Sequence, residues 1–278
     1  MTLKSSPWAA DLAFAIDIGA RAGDLLMDRY ERLERIHHKS AKDVVTEADT
    51  MSERLILEAI REHSPGDGML GEESGSHATG TGAAATDKHG RVWVVDPLDG
   101  TVNYANGIPF FCVSIGLVVD GRPVVGIVRD PTRGETYAAA VDGPALLVDR
   151  GSPEGRVIVA SEKDKLSDFV VSLALGGRAV ATRIRAVRKA VRISRSMGAA
   201  ALQLAYVANG RFDAFAQSSG LSTWDIAAAG LIAERAGATV TDMAGGPWFD
   251  LGLRSSTIGL FAAPPAHHST LLAIARGA

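Results

Sequence analysis

Val92-Trp93-Val94-Val95-Asp96-Pro97-Leu98-Asp99-Gly100-Thr101 is the stretch on which this chain turns. The apolar run from Val92 to Val95 reads as a buried strand, and it leads directly into a tight turn with two carboxylates and a hydroxyl. Two carboxylates about 4 Å apart repel by roughly 4 kcal/mol at an effective dielectric of about 20. A divalent cation between them removes that repulsion, because hard oxygen ligands are what Mg²⁺ or Ca²⁺ selects. A plain turn is the competing reading, since Asp-Pro and Asp-Gly pairs are ordinary turn formers. Acids elsewhere in matching contexts favour the metal.

Four acidic positions share one context, the edge of a regular element: Asp49, Glu72 with Glu73, Asp96 with Asp99, and Asp225. Each also has a structural alternative. Asp49 could favour a helix start through the macrodipole, and Glu72 with Glu73 could be a solvated pair. Ser222-Thr223-Trp224-Asp225 fits a capping box ahead of an apolar run. Spacing alone does not say whether the four converge.

The 278 residues allow one large domain or two intimate ones with a substantial core. With 46% hydrophobic and 22% charged residues, the composition is that of an ordinary globular protein. A formal net charge of -3 gives no general attraction to nucleic acid or anionic lipid, so neither is expected as a partner. The lone cysteine, Cys112, excludes an internal disulfide and reads as a buried small hydrophobe. No signal peptide or membrane-spanning apolar stretch is read, and a cytoplasmic location is expected.

Periodicity predicts a long amphipathic helix over 8–34, with His37 and His38 as its solvated exit, and a short extended piece at 43–46. A second helix is predicted from Thr50 to near Ser64. Residues 75–90 read as a mobile surface loop. Its Gly80-Thr81-Gly82-Ala83-Ala84-Ala85 matches a dinucleotide fingerprint only formally, lacking a strand before and a helix after. Strands are predicted at Val92–Val95, Cys112–Val119, Pro123–Val128 and Thr136–Val141, with Asp120-Gly121 as a hairpin turn. Later come a short strand at Val157–Ala160, a basic helix over 178–192 and a helix over Met197–Val207. A helix from Trp224 stopping at Gly237, strands near 238–241 and 258–262, and a terminal helix complete the chain. Hairpins first and alternation later predict two subdomains, 1–150 with most of the acids and 151–278 with Asp225.

Gly71-Glu72-Glu73-Ser74, the Trp93-to-Tyr104 segment and Trp224-Asp225-Ile226-Ala227-Ala228-Ala229 together resemble the signature set of the inositol monophosphatase family. Asp43-Val44-Val45-Thr46-Glu47-Ala48-Asp49 is similar to that family's N-terminal motif. The resemblance implies an α/β layered αβαβα sandwich and a Mg²⁺-dependent phosphomonoesterase with two or three ions, Mn²⁺ being a possible substitute. By motif position Glu72, Asp96 and the Leu98 carbonyl would hold one ion, and Asp96, Asp99 and Asp225 another. Glu72 and Asp49 would serve a third, weaker ion. Gly100 and Thr101 would offer amides to phosphate. Water bonded to Thr101, with Asp49 or Glu72 as proton acceptor, would attack phosphorus directly.

On the substrate side the family pattern implies Arg195, Ala200 and Asp225, and Ser218 is a further candidate because a serine hydroxyl can bond a polyol. Inositol-hydrolysing members carry an acid several positions before Trp-Asp, where this chain has Gln217-Ser218-Ser219-Gly220. A small sugar or polyol phosphate is therefore the expected substrate. Histidinol phosphate, fructose 1,6-bisphosphate and 3′-phosphoadenosine 5′-phosphate remain alternatives, as does a non-catalytic regulatory homologue. The family also implies lithium sensitivity and a homodimer.

Overall fold

Strand alternation around Trp93 sets the layers of the fold. A computed structural model of the chain describes residues 6–30, 36–38, 44–77, 90–253 and 256–277. In chain order it forms α1 (Ala9–Arg29), β1 (Ile36–His38), β2 (Val44–Thr46), α2 (Glu47–His63), β3 (Gly68–Gly71), β4 (Gly75–His77) and β5 (Arg91–Asp99). Next come α3 (Thr101–Ala105), β6 (Cys112–Val119), β7 (Arg122–Asp130), β8 (Glu135–Ala140), β9 (Leu146–Asp149) and β10 (Ser152–Val157). The remainder is β11 (Val170–Ala174), α4 (Val180–Ala190), β12 (Ile193–Arg195), α5 (Ala200–Val207), β13 (Ala214–Leu221), α6 (Thr223–Arg235), β14 (Thr239–Asp242), β15 (Ile258–Ala263) and α7 (Pro265–Arg276).

Strands β10-β9-β8-β7-β6-β5-β3-β4 make an eight-stranded sheet, and β12-β11-β13-β15-β14 a five-stranded one. In β5, Trp93 and Val95 point to one face and Val92 and Val94 to the other. The first face meets Leu12, Ala15, Ile18 and Leu26 of α1 and Ile56 and Ile60 of α2. The other face packs on α6, which together with α5 fills the space between the two sheets. Helices α4 and α7 cover the far side of the second sheet. The result is the five-layer αβαβα sandwich that the resemblance implied.

Two glycines let α6 lie close against the first sheet. A Cβ on Gly126 of β7 would stand 2.8 Å from both Cα and the carbonyl oxygen of Ala228, and one on Gly116 of β6 3.2 Å from the Ala227 Cβ. Backbone cannot give way as a flexible side chain can. Gly126→Val is accordingly expected to destabilise by about 1–3 kcal/mol, the scale of overpacking in a dense core. The midpoint of urea unfolding checks this, and an unchanged midpoint would contradict the close-packing account.

Several boundaries differ from the sequence expectations, each for a local reason. Helix α2 starts at Glu47 rather than near Thr50, because Thr46 is an extended N-cap in a full capping box with Asp49. Helix α5 starts at Ala200 rather than Met197, since Gly198 takes φ +81° and breaks the helical path. The strand expected at Val157–Ala160 is instead β10, an edge strand that ends at Val157. His37 and His38 sit in β1, paired antiparallel to β2. Strand β13, Ala-Phe-Ala-Gln-Ser-Ser-Gly-Leu, carries no strand signal in the sequence because it has no β-branched residue. Asp120 and Gly121 both have positive φ (49° and 74°), as a type I′ hairpin turn requires. Of the expected 75–90 loop, 75–77 form β4, and 78–89, with the formal fingerprint, lie outside the described residues. Among the described residues no helix is long and apolar enough to cross a membrane.

Candidate active site

Asp96 and Asp99 are three residues apart, so a regular strand would send them to opposite faces of the sheet. A one-residue bulge prevents this. Asp96 pairs with Ser114 and Asp99 with Cys112, so three steps along β5 match two along β6. Ser114 and Cys112 lie on one face, and both carboxylates therefore point toward α5 and α6. Pro97 sits within the bulge, where a strand can spare an amide. The hydroxyl of Ser52 in α2 donates to the Pro97 carbonyl at 2.9 Å and fixes the turn from the other side.

Two further acids are delivered by pairing and by capping. Strand β3 runs parallel to β5 with Gly71 opposite Val95, and the Glu72 amide continues the ladder to the Val95 carbonyl. Glu72 thereby comes beside Asp96. Asp225 is the third residue of α6, and its Oδ2 accepts from the Ser222 amide at 2.6 Å. Capping and site building turn out to be one placement, because the cap holds Asp225 at the end of α6 that faces the bulge. Carboxylate oxygens of Asp96, Asp99 and Asp225 all lie within 4.8 Å of one another.

Asp99 does a second job. Its Oδ1 accepts from the Ala200 amide at 3.0 Å, and its Oδ2 from Ala201 at 2.7 Å and Leu202 at 3.3 Å. Helix α5 has no side-chain cap of its own, so Asp99 satisfies its first amides from across the site. Cys112, fully buried, lies with its thiol 3.6 Å from Asp99 Oδ2. Burial, then the nearby carboxylates, push that thiol well above its usual range, as suits an inert core cysteine.

Asp49 and Thr101 form a separate pair. The Thr101 hydroxyl lies 2.9 Å from Asp49 Oδ1 and 3.0 Å from the Leu98 carbonyl oxygen. Asp49 is fully buried, and its Oδ2 is taken by the amide and hydroxyl of Thr46. Burial raises the Asp49 pKa against the hydrogen bonds from Thr46 and Thr101. A carboxylate held in this way is a better proton acceptor than a solvated one.

Burial raises the Asp96 carboxyl well above the usual range, and Glu72, Asp99 and Asp225 raise it further. Asp225 is raised for the same reasons, burial first and Asp99 next. At Asp99 burial outweighs the three helix amides and leaves it at about 6. None of the ion pairs among the described residues reaches these three. A largely enclosed set of oxygen donors, charged at neutral pH only against mutual repulsion, fits a hard divalent cation.

These groups bind protons more tightly folded than unfolded, so their penalty is absent below the ordinary aspartate value of 3.8. It grows as pH rises from 3.8 and is complete for Asp99 above about 6, while for Asp96 and Asp225 it continues to grow at higher pH. In EDTA the melting temperature is expected to fall over this window, and Mg²⁺ to restore it more at pH 8 than at pH 5. Equal Mg²⁺ shifts at both pH values in a melting series would contradict this.

Beside the acids lies a cavity of about 310 Å³ lined by Asp99, Asp225, Ser196, Ala200, Gln203 and Gln217, among others. Of the substrate-side residues expected from the sequence, Ala200 and Asp225 line it. Ser218 does not: its hydroxyl accepts from the Gly176 amide at 2.7 Å, and it lines a neighbouring cavity instead. Strand alternation explains the difference, with Gln217 turned toward the acids and Ser218 away. Arg195 is exposed at the edge strand β12, its guanidinium on the Ser194 carbonyl, next to the cavity-lining Ser196.

The sequence profile of the inositol monophosphatase family matches residues 8–277. The chain belongs to that family. Inositol monophosphatase 2 of Solanum lycopersicum is 36% identical over 246 residues, covering 86% of this chain and 89% of its own. Nus factor SuhB of Pseudomonas aeruginosa is 36% identical over 249 residues, covering 84% and 86%. In three dimensions the extragenic suppressor protein suhB from Bartonella henselae superposes with a TM-score of 0.83 at 30% identity, over 96% of this chain and 98% of that one.

Sequence reasoning missed several residues that hold this candidate site together. Buried Glu53 accepts from the Glu73 amide at 2.8 Å and the Ser74 amide at 2.9 Å, fixing the turn that presents Glu72. A Cβ on Gly71 would stand 2.6 Å from its Oε2, so only glycine admits the clamp. Asn103 donates to the carbonyls of Phe110 and Met197, both at 2.7 Å, and ties α3 to the loop before α5. Gln203 accepts from the Met197 amide and the Ser172 hydroxyl and steadies the same loop. A signal for Glu53 was present: it falls in the buried stripe of α2 with Asp49, Ser52, Ile56 and Ile60.

Proposed function

We propose that the chain is a Mg²⁺-dependent phosphomonoesterase acting on a small sugar or polyol phosphate by direct attack of water. The observation that carries this reading is the convergence of buried Asp96 and Asp99 with half-buried Asp225, with oxygens within 4.8 Å and, among the described residues, no ion pair to another side chain. Glu72, Asp96, Asp99, Asp225 and the Leu98 carbonyl are the groups that would hold divalent ions. Such ions, when bound, neutralise phosphate oxygens and acidify water near them.

The chain's own groups do the rest. Thr101 gives its hydroxyl proton to Asp49, which leaves a lone pair on Oγ1 to accept from the attacking water. Asp49, its basicity raised by burial, is the terminal acceptor, with Glu72 as the alternative. The Gly100 and Thr101 amides would orient the phosphate. Across the cavity, Ser196 and Gln217 offer uncharged polar groups suited to the hydroxyls of a polyol, with Arg195 at the rim.

Retention of every acid and of Thr101 favours hydrolysis over a regulatory homologue, and the Nus factor name belongs to the SuhB relative. Phosphate release is the test. Inositol 1-phosphate, histidinol phosphate, fructose 1,6-bisphosphate and 3′-phosphoadenosine 5′-phosphate would each be assayed with Mg²⁺ and with EDTA. Turnover of at least one, abolished by EDTA, is expected; no turnover of any, or turnover indifferent to EDTA, would overturn the reading.

A further inference from the structure

Strand alternation assigns position 129 to the core, yet an arginine occupies it. Val125 and Ile127 of β7 face α1, and Arg129 follows them in register on that face. Gly19 and Gly23 of α1 make the room: a Cβ on Gly23 would stand 3.1 Å from Arg129 Cγ and 3.3 Å from its Nε. The Nε is buried and has no hydrogen-bond partner. Nη1 donates to the Thr136 hydroxyl at 3.3 Å, and no carboxylate among the described residues forms an ion pair with this guanidinium. Arg129 is half-buried, and a guanidinium with one enclosed, unpartnered N–H is costly unless something outside the fold completes it.

A cavity of about 660 Å³ opens beside it, between α1 and the ends of β7, β8 and β9. Its charged lining is Arg129, Arg133, Arg150, Asp24 and Asp149. Arg133 is already paired with Glu135 at 3.1 Å, and Asp149 with Arg156. Arg150 has no partner among the described residues, and its charge is near enough to act on Arg129. Two like charges thus converge on one cavity; exposed Asp24 and, more weakly, Asp130 act on Arg129 in the opposite sense, but neither forms an ion pair with it among the described residues. Ile16, Ala20 and Met27 supply an apolar wall.

We propose that this cavity is a second ligand site that takes a small phosphate monoester, its dianionic head between Arg129 and Arg150 and its carbon body against Ile16, Ala20 and Met27. Guanidinium groups match phosphate oxygens in geometry as well as charge. Asp24 is placed to accept from hydroxyls on the body of the ligand. The site lies on the α1 face of the eight-stranded sheet, whereas the acid cluster lies on the α6 face. Occupancy at the two is therefore compatible.

Calorimetric titration of the full chain in EDTA, with inorganic phosphate and with glycerol 3-phosphate, tests the proposal. One saturable site is expected, tighter for glycerol 3-phosphate. Arg129→Gln and Arg150→Gln should each weaken it at least tenfold, and Asp225→Asn should leave it unchanged. Arg150 is exposed, so Arg150→Gln reports on binding even if Arg129→Gln does not fold. Absence of saturable binding, full affinity in Arg150→Gln, or loss of binding in Asp225→Asn would each overturn it.

Discussion

Asp96→Asn is expected to lower kcat by roughly three orders of magnitude or more, the upper scale for loss of one preorganised electrostatic group. Asp96 stands at the centre of the cluster, with Glu72, Asp99 and Asp225 all acting on it. It is fully enclosed, so no water can replace the lost charge. The fold itself should gain. An asparagine amide donates to neighbouring carboxylates where Asp96 repels them, and in EDTA at pH 8 the variant is expected to melt above wild type. Activity comes from phosphate release and stability from thermal melts. A variant that is inactive because it is unfolded, or folded with wild-type activity, would contradict the assignment.

Thr101→Val is the second large effect, with kcat expected to fall by roughly 10²–10⁴-fold, the range for loss of general acid–base assistance. Valine keeps the branched shape but removes the proton path to Asp49 and the bond to the Leu98 carbonyl. In the proposed mechanism the phosphate is oriented by the backbone amide at this position, which valine retains, so KM should move far less than kcat. The split is what distinguishes a proton relay from a packing role. Thr101→Ser, which retains the hydroxyl, should recover most of the rate. Loss confined to KM, or no recovery in the serine variant, would contradict the relay.

Much of this was legible in the residues. The apolar runs at Val92 and Cys112 predicted neighbouring strands, and the Trp224 helix with its Gly237 stop was readable from periodicity. The acids were identifiable as a set only through motif resemblance, because their convergence depends on a bulge at Pro97, the parallel register of β3 and a cap at Ser222. None of these is visible as spacing. Ser218 shows the same limit from the other side, since one step along β13 separates the cavity wall from its neighbour. Ionisable residues in an apolar register, buried Glu53 on α2 and half-buried Arg129 on β7, are a local signal of such placements.

If Asp96, Asp99 and Asp225 share divalent metal, anomalous diffraction from crystals grown with Mn²⁺ will show it. A peak within coordination distance of all three carboxylates is expected, lost in Asp96→Asn crystals. Ordered Mn²⁺ elsewhere, with the three carboxylates touching only one another and water, would contradict it.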